Sequence, residues 1–437
     1  MSRYDVAIVG LGPTGAVLAN LCGLHGLRTV VFEQSTDPYP QPRACHLDAE
    51  IARVLQQCGF TEALAEVLTV SAGMEYVDAT GQRLFTFEDF EREPLLGWHE
   101  DYVFIQPQLD TMVRAGLQRF PHVDVVLGSP APTIDDLLVL ARWVVGADGA
   151  SSATREALGI GLVDLAYDES WLVIDVMLRP GSDLALPGII QQVCDPRRLA
   201  TFVPSHAAHR RWEFLLHGDE HPDPWELIAP WGVNTTNAEL VRSASYRFHA
   251  LVAGQWVGGE GGRVFLAGDS AHQMPPFMGQ GMCSGIRDAA NLAWKFAAVA
   301  AGAPLALLDT YEAERRPHAL RVVELSVEAG RLIAELADDV AAGAPLRLPH
   351  PAPLDERRWS RLPPLELGGA FPIGHQVPQP TVDGRPLDDL LGLGWAWVAR
   401  DSAFESPDGH PVVLAPAATM GCRAVLVRPD RYVAAAA

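Results

Sequence analysis

The sequence predicts an α/β fold of Rossmann type, with a β-rich insert and a separate C-terminal module. Three observations predict it. A buried strand, a glycine-rich turn, a helix and a second buried strand follow one another within residues 4–33. A later apolar strand near residue 264 runs into Gly268-Asp269 and then into a long helix. Between them, residues 75–95 and 162–250 change to the short apolar runs of strands that lie outside the first sheet.

Taken in order, residues 4–9 (YDVAIV) form a short buried strand, and residues 13–25 follow with Val17, Leu18, Leu21 and Leu24 at helical spacing. Residues 28–33 (RTVVFE) are a second buried strand, which completes a βαβ unit of a parallel sheet. After the Pro-rich loop 38–42, residues 48–69 read as helix with Ile51, Val54, Leu55 and Cys58 on one face, and Gly59 as a point of interruption. Tyr76, Leu84, Phe85 and Phe87 suggest hairpin strands, and residues 108–119 return to helical period. Residues 143–149 (WVVGADG) are a strand ending in a turn, although the link from 126 to 141 is short for the strands expected there. Residues 162–250 are β-rich, with helix near 223–242. Strand 264–267 then leads to a helix over 280–301. Dense Pro and Leu after 346 mark a linker, and residues 370–437 a small α/β or β-rich module. There is no internal repeat.

A length of 437 residues suits two or three domains and buries an ample core without a metal or disulfide staple. Fifty-four acidic against 33 basic residues leave a net charge of −21, a field that repels phosphate backbones and anionic membranes. Nucleic acid and membranes are therefore excluded as expected partners. Cysteines 22, 45, 58, 194, 283 and 422 form no C-x-x-C pair, so buried thiols in a reducing cytoplasm are expected, with no metal site. Asp5 and the glycine-rich turn beyond it do not suit a signal peptide. Apolar stretches 6–27 and 291–308 are interrupted by Gly10, Gly12, Pro13 and Gly15, and by Lys295 and Pro304. A soluble, cytoplasmic monomer or homodimer is the expectation.

Three motifs carry chemistry. The first is Gly10-Leu11-Gly12-Pro13-Thr14-Gly15, between strand and helix. Gly10 permits the tight turn, Gly12 lets backbone approach a pyrophosphate, and Gly15 allows close helix packing. Pro13 suits the first helical turn, whose free N–H groups attract a diphosphate. Glu33, with Gln34 beside it, stands at the distance where an acid binds a ribose hydroxyl. The second motif is RVFLAGDSA (263–271), followed by Pro275, Pro276 and the G-Q-G entry of Gly279, Gln280 and Gly281, with Met282 next. Asp269, at the carboxyl end of its strand, can accept hydrogen bonds from a ribityl chain. A helix N-terminus at 279–281 can then point N–H groups at the pyrimidine edge of a flavin, so FAD is the expected dinucleotide; the plainer reading is an ordinary strand–turn–helix with Asp269 as its N-cap. The third is Gly146-Ala147-Asp148-Gly149 with Ser152 and Arg155, which suits pyrophosphate and pyridine-nucleotide contacts. Its plainer reading is Asp148 in a β-turn, with Arg155 on a solvated helix face.

In this order the motifs resemble the group A flavoprotein monooxygenases, the aromatic hydroxylases typified by 4-hydroxybenzoate hydroxylase, over roughly residues 1–345. PRACHLD (42–48) and GQGMCSGIRDAANLAWK (279–295) look like the 3-(3-hydroxyphenyl)propionate hydroxylase branch. VLVRPDRYVA resembles the thioredoxin-like tail of that branch, here without C-x-x-C. The resemblance implies a discontinuous FAD-binding domain (1–75, 100–160, 255–345) and a substrate domain (76–99, 161–254). It further implies a linker (346–369) and a thioredoxin-like module (370–437). It implies that Arg43 and Gln106 lie by the flavin, that Asp148 serves FAD and NADPH, and that Asp269 binds the ribityl chain. Cys283 departs from the Asn that many relatives carry, and contacts the ring through backbone N–H.

The implied activity is hydroxylation of a phenolic ring through a flavin C4a-hydroperoxide. FAD is bound, NADPH or NADH visits transiently, and O₂ and a small aromatic substrate are the partners. The substrate is a small phenylpropanoid acid or a polyketide-type aromatic. His46 could serve as base to the phenol or merely position its loop. Gln192, Phe202 and Trp212 fall on the inserted sheet that should wall the substrate pocket, and each could be plain core. A flavin oxidase or dehydrogenase of the same fold is the alternative, separated by substrate-linked NADPH consumption.

Overall fold

Residues 3–86, 94–348 and 362–437 are described by a computed structural model of the chain. The expectations placed on Phe87 and on residues 349–361 of the linker lie outside them. Short β-branched runs build a six-stranded sheet. Its order is Val257–Gly258, Val264–Leu266, Ala141–Gly146, Tyr4–Val9, Thr29–Glu33, Val123–Leu127. Every neighbouring pair is parallel except the Val257–Gly258 edge. The register sets Val9 beside Gly146 and Gly146 beside Leu266. The three sequence motifs therefore leave the same edge of the sheet, at its carboxyl ends, where open α/β sheets bind ligands.

Helices Pro13–Leu24 and Gly281–Ala300 cross over this edge against each other. Gly285 permits the approach, since a Cβ there would stand 2.3 Å from Thr14 Oγ1 and 2.9 Å from Gly268 Cα. The helix expected over 48–69 is two helices, Ala49–Gln57 and Thr61–Val67, broken where Gly59 turns with φ +82°. Strand Leu68–Val70 follows and pairs with Asp101–Phe104. The short link before Ala141 holds one helix, Ile134–Leu140, capped by Thr133.

A second, eight-stranded sheet runs His272–Gln273, Ala238–Ala253, Leu162–Leu178, His209–Leu215, Ala200–Val203, Ile190–Val193, Met74–Val77, Arg83–Thr86. Residues 223–242, expected helical, contain only helix Pro224–Ile228 and a short 3₁₀ turn before strand Ala238–Ala253 begins. Pairing along the whole length of Leu162–Leu178 overrides the local helical pattern. Strand Met74–Val77 straddles the boundary expected at residue 75. One face of this sheet carries its own core of Ile174, Phe202, Trp212 and Phe214 beneath Trp231, and the other face turns towards the first sheet.

The 33-residue helix Thr310–Ala342, which the sequence reading did not identify, packs against strands Ala238–Ala253 and His272–Gln273 of the second sheet and meets the first at Tyr311, whose Oη donates to Leu266 O at 2.7 Å. Near the C-terminus, strands Val412–Leu414, Ala396–Ala399, Ala424–Val427 and Val433–Ala436 form a four-stranded mixed sheet. Helix Leu387–Leu391 accompanies it. Arg53 of helix Ala49–Gln57, 2% exposed, binds Asp388 with two bonds of 2.7 and 2.6 Å and Val377 O at 2.6 Å. Glu50 accepts from Tyr432 Oη at 2.6 Å and Gln376 Nε2 at 3.1 Å. Glu314 joins Lys295 at 2.9 Å and Arg428 at 2.8 Å. The C-terminal sheet is thus fastened to the rest by buried charge. No helix among the described residues is long and apolar enough to cross a membrane.

Candidate active site

The first turn is built to admit something against its backbone. Gly10 has φ +99°, and a Cβ there would stand 2.4 Å from Ala147 O. A Cβ on Gly15 would stand 2.1 Å from Gly10 O, so both glycines are required by the protein's own packing. Gly12 is different: no atom lies within 4 Å of its Cβ position, and it opens with Pro13 and Thr14 onto a large cavity. The helix that Pro13 starts has no side-chain cap, which leaves its first N–H groups and the positive end of its dipole directed to that space. Glu33 fastens the turn: its two carboxylate oxygens accept from Leu11 N at 2.7 Å and Ser35 N at 2.9 Å. Glu33 and the exposed Gln34 are not part of the cavity wall.

At the second motif, Gly268 N donates to Asp288 Oδ2 at 3.0 Å. Asp288 is in turn held by His272 Nε2 at 2.8 Å and Arg315 Nε at 2.9 Å, all buried. This clamp aims Asp269 into the cavity. Asp269 is reachable from the cavity yet surrounded by protein. Desolvation there lifts its carboxyl above the ordinary range against the opposing pull of His272 and Arg43. Pro276, Gly279, Gln280, Gly281 and Met282 also line the cavity, where helix Gly281–Ala300 begins without a side-chain cap. Gln280 does not offer its side chain to a ligand, because Nε2 donates to Asp48 at 3.0 Å and Oε1 accepts from Arg287 at 2.9 Å. Cys283 is buried behind the wall, its thiol 3.6 Å from Gly279 O, with burial pushing it well above its ordinary pKa.

Loop 42–46 faces this helix end. Gln106 Oε1 accepts from the backbone N–H groups of Arg43 (3.1 Å) and Ala44 (2.7 Å), so Gln106 positions the loop that presents Arg43. The Arg43 guanidinium lies 4.3 Å over the Tyr39 ring and opens to the cavity. His46 has both ring nitrogens engaged, Nε2 with Asp101 at 2.7 Å and Nδ1 near Gly279 O at 3.4 Å. Burial opposes its imidazolium, but Asp101, with Asp48 and Gly279 O, raises its pKa overall. His46 is placed to brace the Gly279 turn, where a Cβ would come within 2.5 Å of Nδ1. Asp148 is consumed locally by Ser152 Oγ at 2.5 Å and by Thr154 N and Oγ1, both at 2.9 Å. Arg155 is buried and donates to Ala150 O and Ser270 O, so neither the Asp148 nor the Arg155 side chain reaches the cavity wall, which the third motif meets only at Ala147 and Gly149.

The cavity, about 2970 Å³, continues from these loops to the eight-stranded sheet. Gln192 lines it, whereas Phe202 and Trp212 do not. Strand alternation turns those two rings to the sheet's other face, where they pack 5.1 Å apart in the outer core, so they are corrected to core residues. The cavity face of their strands carries Thr201, Val203, Arg211 and Glu213 instead. Arg211 bridges sheet and loop: Nε binds Asp175 at 2.8 Å, and Nη1 and Nη2 bind Arg43 O and Pro42 O at 2.6 and 2.7 Å. Burial alone would lift Asp175, yet Arg211 and His209 hold its carboxyl down at about 2. Sequence reading missed Asp175, Arg211, Asp288 and Arg287 because each pairs with residues remote in the chain.

A protein-family model described as FAD binding domain matches residues 3–326. This chain belongs to that family, among the FAD-dependent aromatic hydroxylases. The FAD-binding enzyme is 34% identical to a probable NADH-specific resorcinol 4-hydroxylase of Rhodococcus jostii (strain RHA1), over 98% of this chain and 91% of the relative. That alignment spans 490 positions against 437 residues here, so the relative carries segments this chain lacks. It is 35% identical to a 3-(3-hydroxy-phenyl)propionate/3-hydroxycinnamic acid hydroxylase of Mycobacterium sp. (strain JLS), over 90% of this chain and 75% of the relative.

Aklavinone-11 hydroxylase in complex with FAD and aklavinone shares the fold, with TM-score 0.77 and 24% identity over 100% of this chain and 96% of that one. The anhydrotetracycline hydroxylase OxyS of Streptomyces rimosus does so at TM-score 0.73, with the same identity and coverage. The open space over Gly12, two uncapped helix ends and a cavity-facing carboxylate fit FAD as the resident cofactor.

Proposed function

We propose that this enzyme uses NADH or NADPH and O₂ to hydroxylate a single-ring phenol at the sheet-facing end of the cavity. The observation that carries the reading is continuity: the space over Gly12 and Asp269 runs without a wall into the space over Gln192, Thr201 and Glu213. Bound FAD supplies hydride acceptance and oxygen activation. One atom of O₂ enters a ring C–H bond as hydroxyl and the other leaves as water, with two electrons from the nicotinamide. Backbone at Gly12, Pro13 and Thr14 would hold the pyrophosphate on the turn that Gly10 and Gly15 shape, Asp269 the ribityl hydroxyls, and the N–H groups at 281–283 the pyrimidine edge. Arg43, on the loop that Gln106 and Arg211 fix, supplies a cation beside them.

The two relatives above act on phenols with a hydroxyl meta to the second substituent, which supports a resorcinol-like substrate. A polycyclic substrate is the second reading: the cavity of about 2970 Å³ has to seat FAD as well, and what FAD leaves is open along the eight-stranded sheet. The C-terminal sheet is taken as a thioredoxin-like module without redox chemistry, and the domain limits given above are kept, with Met74 and Glu75 moved to the substrate side.

The test is to purify the protein, record its visible spectrum, and follow NADH and NADPH oxidation with a panel of phenols and polycyclic phenols, with products weighed by mass spectrometry. Flavin bands, phenol-stimulated oxidation and a product heavier by one oxygen are expected. Flavin bands with no stimulation by any compound would overturn the hydroxylase reading in favour of an oxidase.

A further inference from the structure

One register row crosses the eight-stranded sheet on its cavity face: Tyr76 opposite Gln192, Gln192 opposite Thr201, Thr201 opposite Glu213, Glu213 opposite Val173. Gln192 and Thr201 satisfy one another, with Thr201 Oγ1 donating at 2.6 Å. Glu213 has no such partner. Its side chain is 8% exposed and lines the cavity. Among the described residues it accepts no hydrogen bond, and its closest cation, Arg211 Nη1, stands 3.8 Å away. Arg211 cannot turn to it, because its fork is already committed to Asp175, Arg43 O and Pro42 O. A buried carboxylate without a donor is costly, and the side left open to it is the cavity. Its donor therefore comes from whatever occupies the cavity.

We propose that Glu213 is a catalytic residue that accepts the hydroxyl hydrogen bond of the phenolic substrate and takes its proton as oxygen transfers to the ring. The inference rests on the hydroxylase reading above and deepens it. As the phenol O–H bond loosens towards the carboxylate, its electron pair enriches the ring positions ortho and para, one of which forms the new C–O bond. That carbon then releases its hydrogen as a proton to water, and Glu213 returns the first proton to the phenolic oxygen, so atoms and charge balance.

The charged and titratable groups around Glu213 are Arg211 on its own strand, Asp175 on the neighbouring strand, Arg242 on the strand beyond that, and Cys45 on the facing loop. Burial lifts its carboxyl above the ordinary range, Arg211 and Arg242 draw it down, and Asp175 adds to the rise. The surroundings of Glu213 do not favour a carboxylate tail. Arg242 is committed to Asp175 at 2.9 Å and Tyr246 Oη at 2.8 Å, and Arg211 is committed as above, so among the described residues neither guanidinium beside Glu213 is left for an anion. The substrate that fits is a neutral hydroxylated ring such as resorcinol, in preference to a phenylpropionate.

The experiment uses FAD-loaded enzyme with resorcinol and NADH or NADPH. Glu213→Gln, close in shape and uncharged, should retain FAD while kcat for resorcinol hydroxylation falls about 100-fold or more, and the acid limb of the kcat–pH profile should vanish. Glu213→Asp should recover part of the rate together with the acid limb. In the unaltered enzyme, 1,3-dimethoxybenzene, which lacks the O–H, should bind at least tenfold more weakly than resorcinol in a flavin difference titration. A resorcinol rate and pH profile unchanged in Glu213→Gln, or equal binding of the dimethoxy compound, would overturn the proposal. If the unaltered enzyme oxidises neither nicotinamide faster with any phenol, it is the hydroxylase reading that fails.

Discussion

Two glycines in one turn should answer the same substitution in opposite ways. Gly12 sits at φ −68° and ψ −178°, extended backbone that alanine adopts freely, with nothing within 4 Å of the new methyl. Gly12→Ala should therefore leave the apoprotein as stable as before or firmer by about 0.4–1 kcal/mol, from a less flexible unfolded chain. At about 2.1 cal/mol/K per residue over 437 residues, that is a rise of about 1 °C in apoprotein Tm. The same methyl would stand where a pyrophosphate has to approach. Losing one charge-assisted backbone bond of about 1.5–3 kcal/mol weakens FAD binding about 10- to 150-fold. Gly10→Ala is the mirror case: φ +99° and a methyl 2.4 Å from Ala147 O predict a loss of about 3 kcal/mol or more in the apoprotein itself. Calorimetry of flavin-stripped protein and titration of flavin fluorescence quenching measure the two effects separately. Equal destabilisation by both substitutions, or unaltered FAD affinity in Gly12→Ala, would refute the division of labour within the turn.

Asp269→Ala should lose FAD during purification; stoichiometric flavin retained in that variant would remove Asp269 from the ribityl site. Asp175→Asn strips a buried charge from Arg211 and Arg242 and should cost about 3–5 kcal/mol in urea unfolding at pH 7. The Asp175 carboxyl is held at about 2 against an ordinary 3.8, so its ionisation contributes roughly 2 kcal/mol above pH 4. That part is lost as pH falls towards 2, so the gap between the two proteins should narrow in acid; a gap independent of pH would contradict the linkage. Asp148→Ala, which removes three bonds at the start of a helix, should lower stability by about 1–2 kcal/mol with the KM for NADH changed less than twofold; a large KM change would restore a nucleotide role. Arg53→Ala should destabilise by about 3–5 kcal/mol and expose the C-terminal sheet to limited proteolysis; resistance to protease equal to the parent would show that the sheet is held by other contacts.

Local patterns carried much of the fold and of the cofactor cradle. Strand–turn–helix–strand at residues 4–33 was legible because its periods change at the glycines, and Asp269 because an apolar strand delivers it. Strand Ala238–Ala253 was misread in its first residues because pairing with Leu162–Leu178, not local pattern, decides its state. Phe202 and Trp212 drew notice as aromatic residues on strands, but only register reveals which face each occupies, and it hands the cavity to Thr201 and Glu213. The Asp288–His272–Arg315 clamp could not be read at all, since its partners come from two helices and a short strand that only folding brings together.

The fastening of the C-terminal sheet has a consequence for the order of assembly. Glu50 and Tyr432 are 382 positions apart, and Arg53 and Asp388 are 335 apart, yet the helix that carries Glu50 and Arg53 also adjoins the cavity. Contacts of such separation close large loops and form late in folding. Until they form, Arg53 lacks Asp388 and Glu50 lacks Tyr432 and Gln376, while Glu50 also accepts from Arg287, the residue that secures Gln280 at the helix entry. The helix of Glu50 and Arg53, which walls one side of the cavity, is therefore expected to gain its full rigidity only when the far end of the chain has docked.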